Sequence, residues 1–246
     1  MNESGRASIA ATAHHVVPNR ILASLPKAEY RRLQPDLKLV PLVYRASLHE
    51  PGEPMPYVYF PNTGVISMLT VLDSGDAIEI ATVGNEGMTD LSVFLGVEES
   101  DARLLVQVAG SAMRMESRVF RQQVRRSDLL RTTLGYYAIA LFALVAQSAA
   151  CNRMHPITGR CARWLLMTHD RVEADTFPMT QAFLSEMLGV RRPSVSVAAA
   201  TLQRAGLISY QRTSSAHSSG CCRCGRMCVL SKRPGSNARN PKCFLP

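Results

Sequence analysis

Two adjacent arginines, Arg191 and Arg192, stand just ahead of Pro193, Ser194 and Ser196 near the C-terminal third of this 246-residue chain. A guanidinium presents its donors in a rigid planar fork that matches guanine edges and phosphate oxygens, and serine hydroxyls add further donors. The chemistry on offer is recognition of a polyanion, provided that a helix presents this end to solvent. The flanking residues supply such a helix. Val195, Ala198, Ala199, Leu202 and Ala205 recur at helical spacing, Pro193 falls in the first turn, where its missing N–H costs little, and Gly206 ends the run. A shorter helix precedes it. Thr180 caps that helix, Phe183, Leu184, Met187 and Leu188 form its apolar side, and Gly189 makes the sharp turn between the two. Leu207 to Tyr210 then reads as the first strand of a wing. The pattern is a helix-turn-helix whose second helix carries its arginines toward a DNA major groove. The competing reading is an ordinary helical hairpin with a solvated basic end.

Positioning that tip requires the rest of the chain. Its 46% hydrophobic content supports a core. Net charge is +9, but the stretch from Thr213 to Pro246 holds six cations and no acid, which leaves +3 for everything before it. Global charge is therefore weak evidence for a nucleic-acid partner. The first 19 residues lack the charged start and apolar core of a secretory signal and read as a loose arm. Only Cys151 and Cys161 lie outside the tail, which fits a reducing cytoplasm better than a disulfide framework.

From about Arg20 to Met115, short apolar runs (LKLVPLVY, YVYF, VISMLTVL, AIEIATV, LLVQVA) alternate with turn residues at Pro51-Gly52, Asn62-Thr63-Gly64, Asp73-Ser74-Gly75 and Gly110. This pattern predicts an antiparallel sandwich or barrel, with a hairpin at DSGD. Asn85 to Gly96 reads as a turn and a short helix. Ser127 to Met154 predicts a long helix. Along it Leu130, Leu134, Tyr137, Leu141, Leu144, Ser148 and Cys151 follow the 3–4 spacing of a coiled-coil seam. A second row, Ala138, Phe142, Val145 and Ala149, is left to face the β domain. No charge occurs between Arg131 and Arg153, so a membrane span and a purely intramolecular core helix compete with the dimer helix. Polar residues dilute the run, which argues against the span. After Pro156, Ile157, Cys161, Trp164, Leu165 and Met167 or Thr168 form the inner face of another helix.

This order of elements, with the strings VYFPNTGVIS, EIATVGNEGM and CNRMHPITGRCARWLLMTHDRV, resembles the Crp/Fnr family of bacterial transcription regulators from about Asn19 to Arg212. The resemblance implies an α+β fold. Its parts are a flexible arm (1–19), an N-terminal antiparallel, jelly-roll-like β-roll sensor (20–126), a dimerisation helix (127–154) and a C-terminal winged helix-turn-helix domain (155–212). It implies a cytoplasmic homodimer that binds double-stranded DNA sequence-specifically, contacts RNA polymerase and needs neither membrane nor catalysis. Thr180 and Gln181 stand where the family meets a phosphate, and Arg192 at a base-reading arginine. Pro193 and Val197 occupy two further base-reading positions. The expected DNA contacts are Thr180, Gln181, Arg191, Arg192, Ser194 and Ser196.

The sensor departs from the family pattern. Glu86-Gly87 reverses the order of the pair that holds a cyclic nucleotide's ribose. The acids Glu98, Glu99 and Asp101 crowd the segment that would hold its phosphate. Both features argue against cAMP. No cysteine precedes Cys151, which argues against an iron–sulfur cluster in the sensor. Glu79, Glu86, Asp90 and Arg103 are candidate pocket residues, with turn and surface roles as the alternative. A cupin-type metal enzyme would need clustered histidines, and the β region holds only His49.

The tail, residues 213–246, abandons strand alternation for Ser, Gly, Pro, Arg and Cys. It reads as a disordered, basic, Cys-rich segment. A zinc or redox element from His217, Cys221, Cys222, Cys224, Cys228 and Cys243 is one reading, and out-of-frame sequence is the other. Either way the second wing strand is expected to be lost and Leu207–Tyr210 to be left unpaired. That would give the alternative function of a structural or partner-binding relative with weakened DNA binding. Cys151, on the expected dimer seam, is either a buried thiol or a disulfide switch.

Overall fold

The computed structural model of the protein describes residues 17–172, 174–212 and 225–229. Two short helices open it, α1 (Arg20–Ala23) and α2 (Lys27–Leu33), followed by a 3-10 turn (Gln34–Asp36). Asn19 caps α1 by accepting from the Leu22 amide, while its own amide donates to the carbonyls of Pro61 and Gly87 at 2.9 and 2.8 Å. Five strands follow: β1 (Lys38–Leu42), β2 (Ser47–His49), β3 (Tyr57–Val71), β4 (Ala77–Val83) and β5 (Ala102–Glu116), with the short helix α3 (Leu91–Phe94) before the last. All pair antiparallel, in the order β1-β5-β3-β4 with β2 also on β5.

The DSGD hairpin forms as expected between β3 and β4, with Gly75 at φ +83°. The turns expected at Asn62–Gly64 and Gly110 do not reverse the chain. Both glycines sit inside the two 15-residue strands β3 and β5, where the register shifts through successive bulges. A Cβ on Gly64 would stand 2.5 Å from the Val108 carbonyl oxygen, and one on Gly110 would stand 2.3 Å from that of Thr63. The missing side chains let two backbones close up and bend without breaking the ladder.

Helix α4 (Ser117–Arg125) packs Phe120 edge-on against Phe60 and leads into α5 (Asp128–Met154). Ser127 caps α5 by accepting from the Leu130 amide at 3.1 Å. The expected assignment of its faces is reversed. Leu130 and Leu134 are buried in the chain's own core with Ile21, Leu22, Met88, Phe120 and Val124. Tyr137 packs on the same core, Leu141 and Leu144 are half-buried, and Ser148 and Cys151 are buried within the chain. Phe142, expected against the β domain, is 74% exposed, and Ala149 is exposed as well. The exposed row is Leu129, Thr132, Tyr136, Ile139, Ala143, Ala146 and Ala150, which also runs in 3–4 steps. Two rows with one periodicity, about 140° apart, share this helix; only the docking of α5 on the sheet decides which is spent inside. Among the described residues α5 is the one helix long and apolar enough to cross a bilayer.

The C-terminal part comprises α6 (Ile157–Val172), β6 (Thr176–Pro178), α7 (Gln181–Met187), α8 (Arg192–Arg204), β7 (Ile208–Arg212) and β8 (Gly225–Val229). Here the expectation of a lost wing is corrected. β8 comes from the stretch read as a disordered tail, and it pairs antiparallel with both β6 and β7 in the order β6-β8-β7. Five residues of backbone suffice to pair the β7 amides and carbonyls that face β8, whatever the composition of the flanks. Cys228 lies in that strand. His217, Cys221, Cys222, Cys224 and Cys243, the other proposed tail ligands, lie outside the described residues.

The five-stranded sheet and the C-terminal domain share one core. Leu69 and Leu105 of the sheet pack in a single cluster with Cys161, Trp164, Leu165, Phe177, Phe183 and Leu202. Tyr44 meets Phe183 with ring centroids 5.7 Å apart, and Arg45 pairs with Glu186 at 3.2 Å. Gly189, at φ +60°, seats the turn on Ile78: a Cβ there would lie 3.1 Å from Cδ1 of that side chain.

Candidate nucleic-acid interface

Thr180 holds the start of α7 by accepting from the Phe183 amide at 3.0 Å. Phe183, Leu184 and Met187 then bury against Val195, Ala198, Ala199 and Leu202 of α8. The apolar stripe of α8 is thus consumed by α7 and α6, and its opposite face must point outward. Arg191, Arg192, Pro193 and Val197 lie on that face, with Val197 66% exposed. No acidic side chain among the described residues forms an ion pair with Arg191 or Arg192. The N-terminal end of α8 therefore carries two available guanidinium groups beside an apolar side chain, the combination that reads guanine edges and thymine methyls.

The expected contacts divide into two groups. Arg191, Arg192 and Ser194 gather at the tip of α8. Gln181 and Ser196 are bonded to each other: Ser196 Oγ donates to Gln181 Oε1 at 2.7 Å and lies 3.2 Å from the Arg192 carbonyl. That bond joins α7 to α8 across the turn. The helix periodicity places Ser196 beside Arg192, but the bond across the turn depends on the packing angle.

The four sensor candidates are not brought together. Glu86 accepts from Arg171 of α6 at 2.7 Å, and Arg103 donates to Glu50 at the same distance. Asp90 adopts φ +54° and accepts from the Thr89 hydroxyl at 2.6 Å; burial pushes its pKa up to about 6. Glu79 lies under α6, and burial raises its pKa to about 8 against the opposing pull of Ser67, Arg171, Trp164 and Arg163. The acids flanking Arg103 are partly neutralised, since Glu98 pairs with Arg121 at 2.9 Å. Gly87 is pressed against the Tyr137 ring, whose hydroxyl donates to the Met88 carbonyl at 3.0 Å. Each of the four is engaged with the chain itself, Glu86 and Arg103 in ion pairs, Asp90 with Thr89 and Glu79 with Ser67. Residues that sequence reasoning missed include Arg45 and Arg160, which tie the helix-turn-helix to the sheet and to α6; Arg160 donates to the Leu188 carbonyl. Their signal is tertiary, since nothing local marks them.

Comparison with known proteins agrees with this geometry. Residues 159–215 match the Crp-like helix-turn-helix domain family. No curated protein matches the chain in sequence. Among solved structures, the chain is similar to the c-di-GMP-responsive global regulator CLP of Xanthomonas campestris (TM-score 0.62, 14% identity, covering 84% of this chain and 100% of that one). It is also similar to FixK2 of Bradyrhizobium japonicum (0.60, 14%, 80% and 93%). A third similar structure is a CRP family transcriptional regulator from Thermus thermophilus (0.59, 17%, 78% and 92%). The sheet, the long helix and the docked C-terminal domain together form the Crp/Fnr regulator fold, and the chain carries the Crp-like helix-turn-helix domain of that family.

Proposed function

We propose that the protein is a homodimeric transcription regulator that binds double-stranded DNA sequence-specifically and is not an enzyme. The observation that carries this reading is the exposed Arg191–Arg192 tip of α8, free of ion pairs among the described residues and braced from behind by the Ser196–Gln181 bond. Two copies are joined along the outward row of α5, where Tyr136 (72% exposed), Ile139 (69%) and Phe142 (74%) present apolar surface, and Ala143, Ala146 and Ala150 let a second helix approach closely. A two-fold axis along this row sets two tips about one helical turn of DNA apart, or a multiple of it. The effector is not cAMP, because Glu86 and Arg103 are occupied by Arg171 and Glu50. A cytoplasmic location and a contact with RNA polymerase follow from the regulatory role. The competing reading, a partner-binding relative with a broken wing, loses its premise in the β7–β8 pairing.

The test is selection of bound fragments from random duplex DNA by the full chain, followed by affinity measurement with R191A/R192A. A palindromic site and a loss of roughly 30- to 20,000-fold for the double variant are expected, since each bidentate base contact is worth about 1–3 kcal/mol. Recovery of no preferred sequence, or undiminished affinity of the variant, would refute the proposal.

A further inference from the structure

A row of buried polar side chains crosses from the sensor sheet into the C-terminal domain. Ser67, Glu79 and Gln107 come from the three adjacent strands β3, β4 and β5, and Thr168 comes from α6; all four are buried. Ser67 Oγ lies 2.7 Å from Glu79 Oε2 and 2.9 Å from Gln107 Oε1. Gln107 Nε2 donates to Thr168 Oγ1 at 2.6 Å, and Thr168 Oγ1 donates to the Trp164 carbonyl at 3.0 Å.

The direction of this row depends on one proton. A hydroxyl has a single hydrogen, so Ser67 can serve only one of its two oxygen neighbours. With the Gln107 amide donating to Thr168, its oxygen faces Ser67. The row then closes throughout only when Glu79 is neutral: Glu79 donates to Ser67, and Ser67 donates to Gln107. An ionised Glu79 claims the Ser67 hydrogen and leaves Gln107 Oε1 without a donor. The row can then be restored only by turning the Gln107 amide over, which takes the Thr168 hydroxyl away from the Trp164 carbonyl.

The charges around Glu79 are committed elsewhere. Arg171 of α6 is held by Glu86 and the Met167 carbonyl, and Arg163 of α6 donates to Ser148 of α5 at 3.3 Å. Arg160 of α6 binds the Leu188 carbonyl, with its Nε buried and unpartnered. Cys151 of α5 lines the same chamber, and α7 contributes only Met187 and Leu188. The Trp164 indole N–H reaches toward the carboxylate but closes no hydrogen bond of standard geometry. The chamber between Glu79 and Arg163 measures about 20 Å³, room for a single water.

We propose that Glu79 is a proton-operated latch between the sensor sheet and the helix-turn-helix domain. Neutral Glu79 keeps α6 seated on the sheet. Its ionisation draws Arg163 off Ser148 and loosens α6 from both the sheet and α5. The raised pKa of about 8 keeps the latch closed at neutral pH and opens it in mildly alkaline conditions. Because α6 leads through β6 into α7 and α8, the latch sets where the Arg191–Arg192 tip points. The device depends on the shared core of the two domains and not on DNA, so its test needs no operator.

Trp164, the sole tryptophan, is a native reporter beside the latch. Full-length protein is titrated from pH 6.5 to 9.5 while its emission and acrylamide quenching are followed. The wild type is expected to red-shift with a midpoint near pH 8, with quenching rising roughly twofold as the junction opens locally. E79Q should keep its pH 7 spectrum throughout, and C151S should titrate like the wild type. T168V, which breaks the row while leaving Glu79 in place, should show at pH 7 the emission that the wild type reaches at pH 9. A transition that survives in E79Q, its absence in the wild type, its loss in C151S, or a T168V spectrum unchanged at pH 7 would overturn the latch. Should E79Q fail to fold, T168V and C151S decide the matter.

Discussion

Helices α5 and α8 solve the same problem from opposite starting points. α8 has one apolar stripe, and a capped partner helix and a glycine turn bring that stripe onto α7, which leaves its opposite face outward. α5 is apolar nearly all round and offers two 3–4 rows. Its orientation is set from outside, by the Met88–Phe120 core on one side and by exposure on the other. A helix with one stripe carries its own address, whereas a helix with two waits for its neighbours to choose.

The sharpest way to break this comparison is to cut each row of α5 in turn. L134A removes a fully buried side chain and should cost about 2–5 kcal/mol in chemical denaturation. I139D should leave the protomer folded yet convert dimer to monomer in analytical ultracentrifugation. The reverse pattern would restore the seam that spacing alone suggested.

A second effect, on the order of a few kcal/mol, separates the buried junction from the exposed tip by its pH dependence. Glu79 is raised from 4.5 to about 8 and Asp90 from 3.8 to about 6, both by burial. The folded state therefore binds these two protons more tightly than the unfolded chain does. Their stabilisation is complete below about pH 4. It is lost progressively as pH rises, Asp90's share by about 6 and Glu79's by about 8. The melting temperature should fall between pH 5 and 8.5, and E79Q should flatten the upper half of that slope. A melting temperature that climbs across this window would contradict the burial of both carboxyls.

The smallest effect sharpens the account of α8. S196A removes the bond to Gln181 and should cost about 1 kcal/mol of stability. Operator affinity should drop severalfold with no change in salt dependence, because no phosphate contact is lost. A loss for S196A that adds to that of Q181A, rather than coinciding with it, would instead make Ser196 a direct DNA contact.

The sequence was most legible where structure is local. Thr180, Gly189, Pro193 and Gly206 punctuate the helix-turn-helix, Ser127 marks the start of α5 and DSGD marks its hairpin, all through interactions within a few residues. The β-roll was legible as strands, but Gly64 and Gly110 were misread as turns because a bulge and a reversal use the same residue. The wing was misread for a related reason: β8 follows an interval whose composition resembles no strand, and backbone pairing does not depend on side-chain alternation. The dispersal of Glu79, Glu86, Asp90 and Arg103 was beyond any local rule.

The chain by itself determined where the helices of the helix-turn-helix begin and end and which arginine pair stands at the start of α8, since caps, periodicity and turn residues act over a handful of bonds. Only the tertiary structure decided which row of α5 faces inward, where the last wing strand comes from, and that Glu79 lies sealed beneath α6. Those outcomes depend on burial between segments far apart in sequence, where the cost of a stranded charge or an unpaired amide is settled by whatever packs against it.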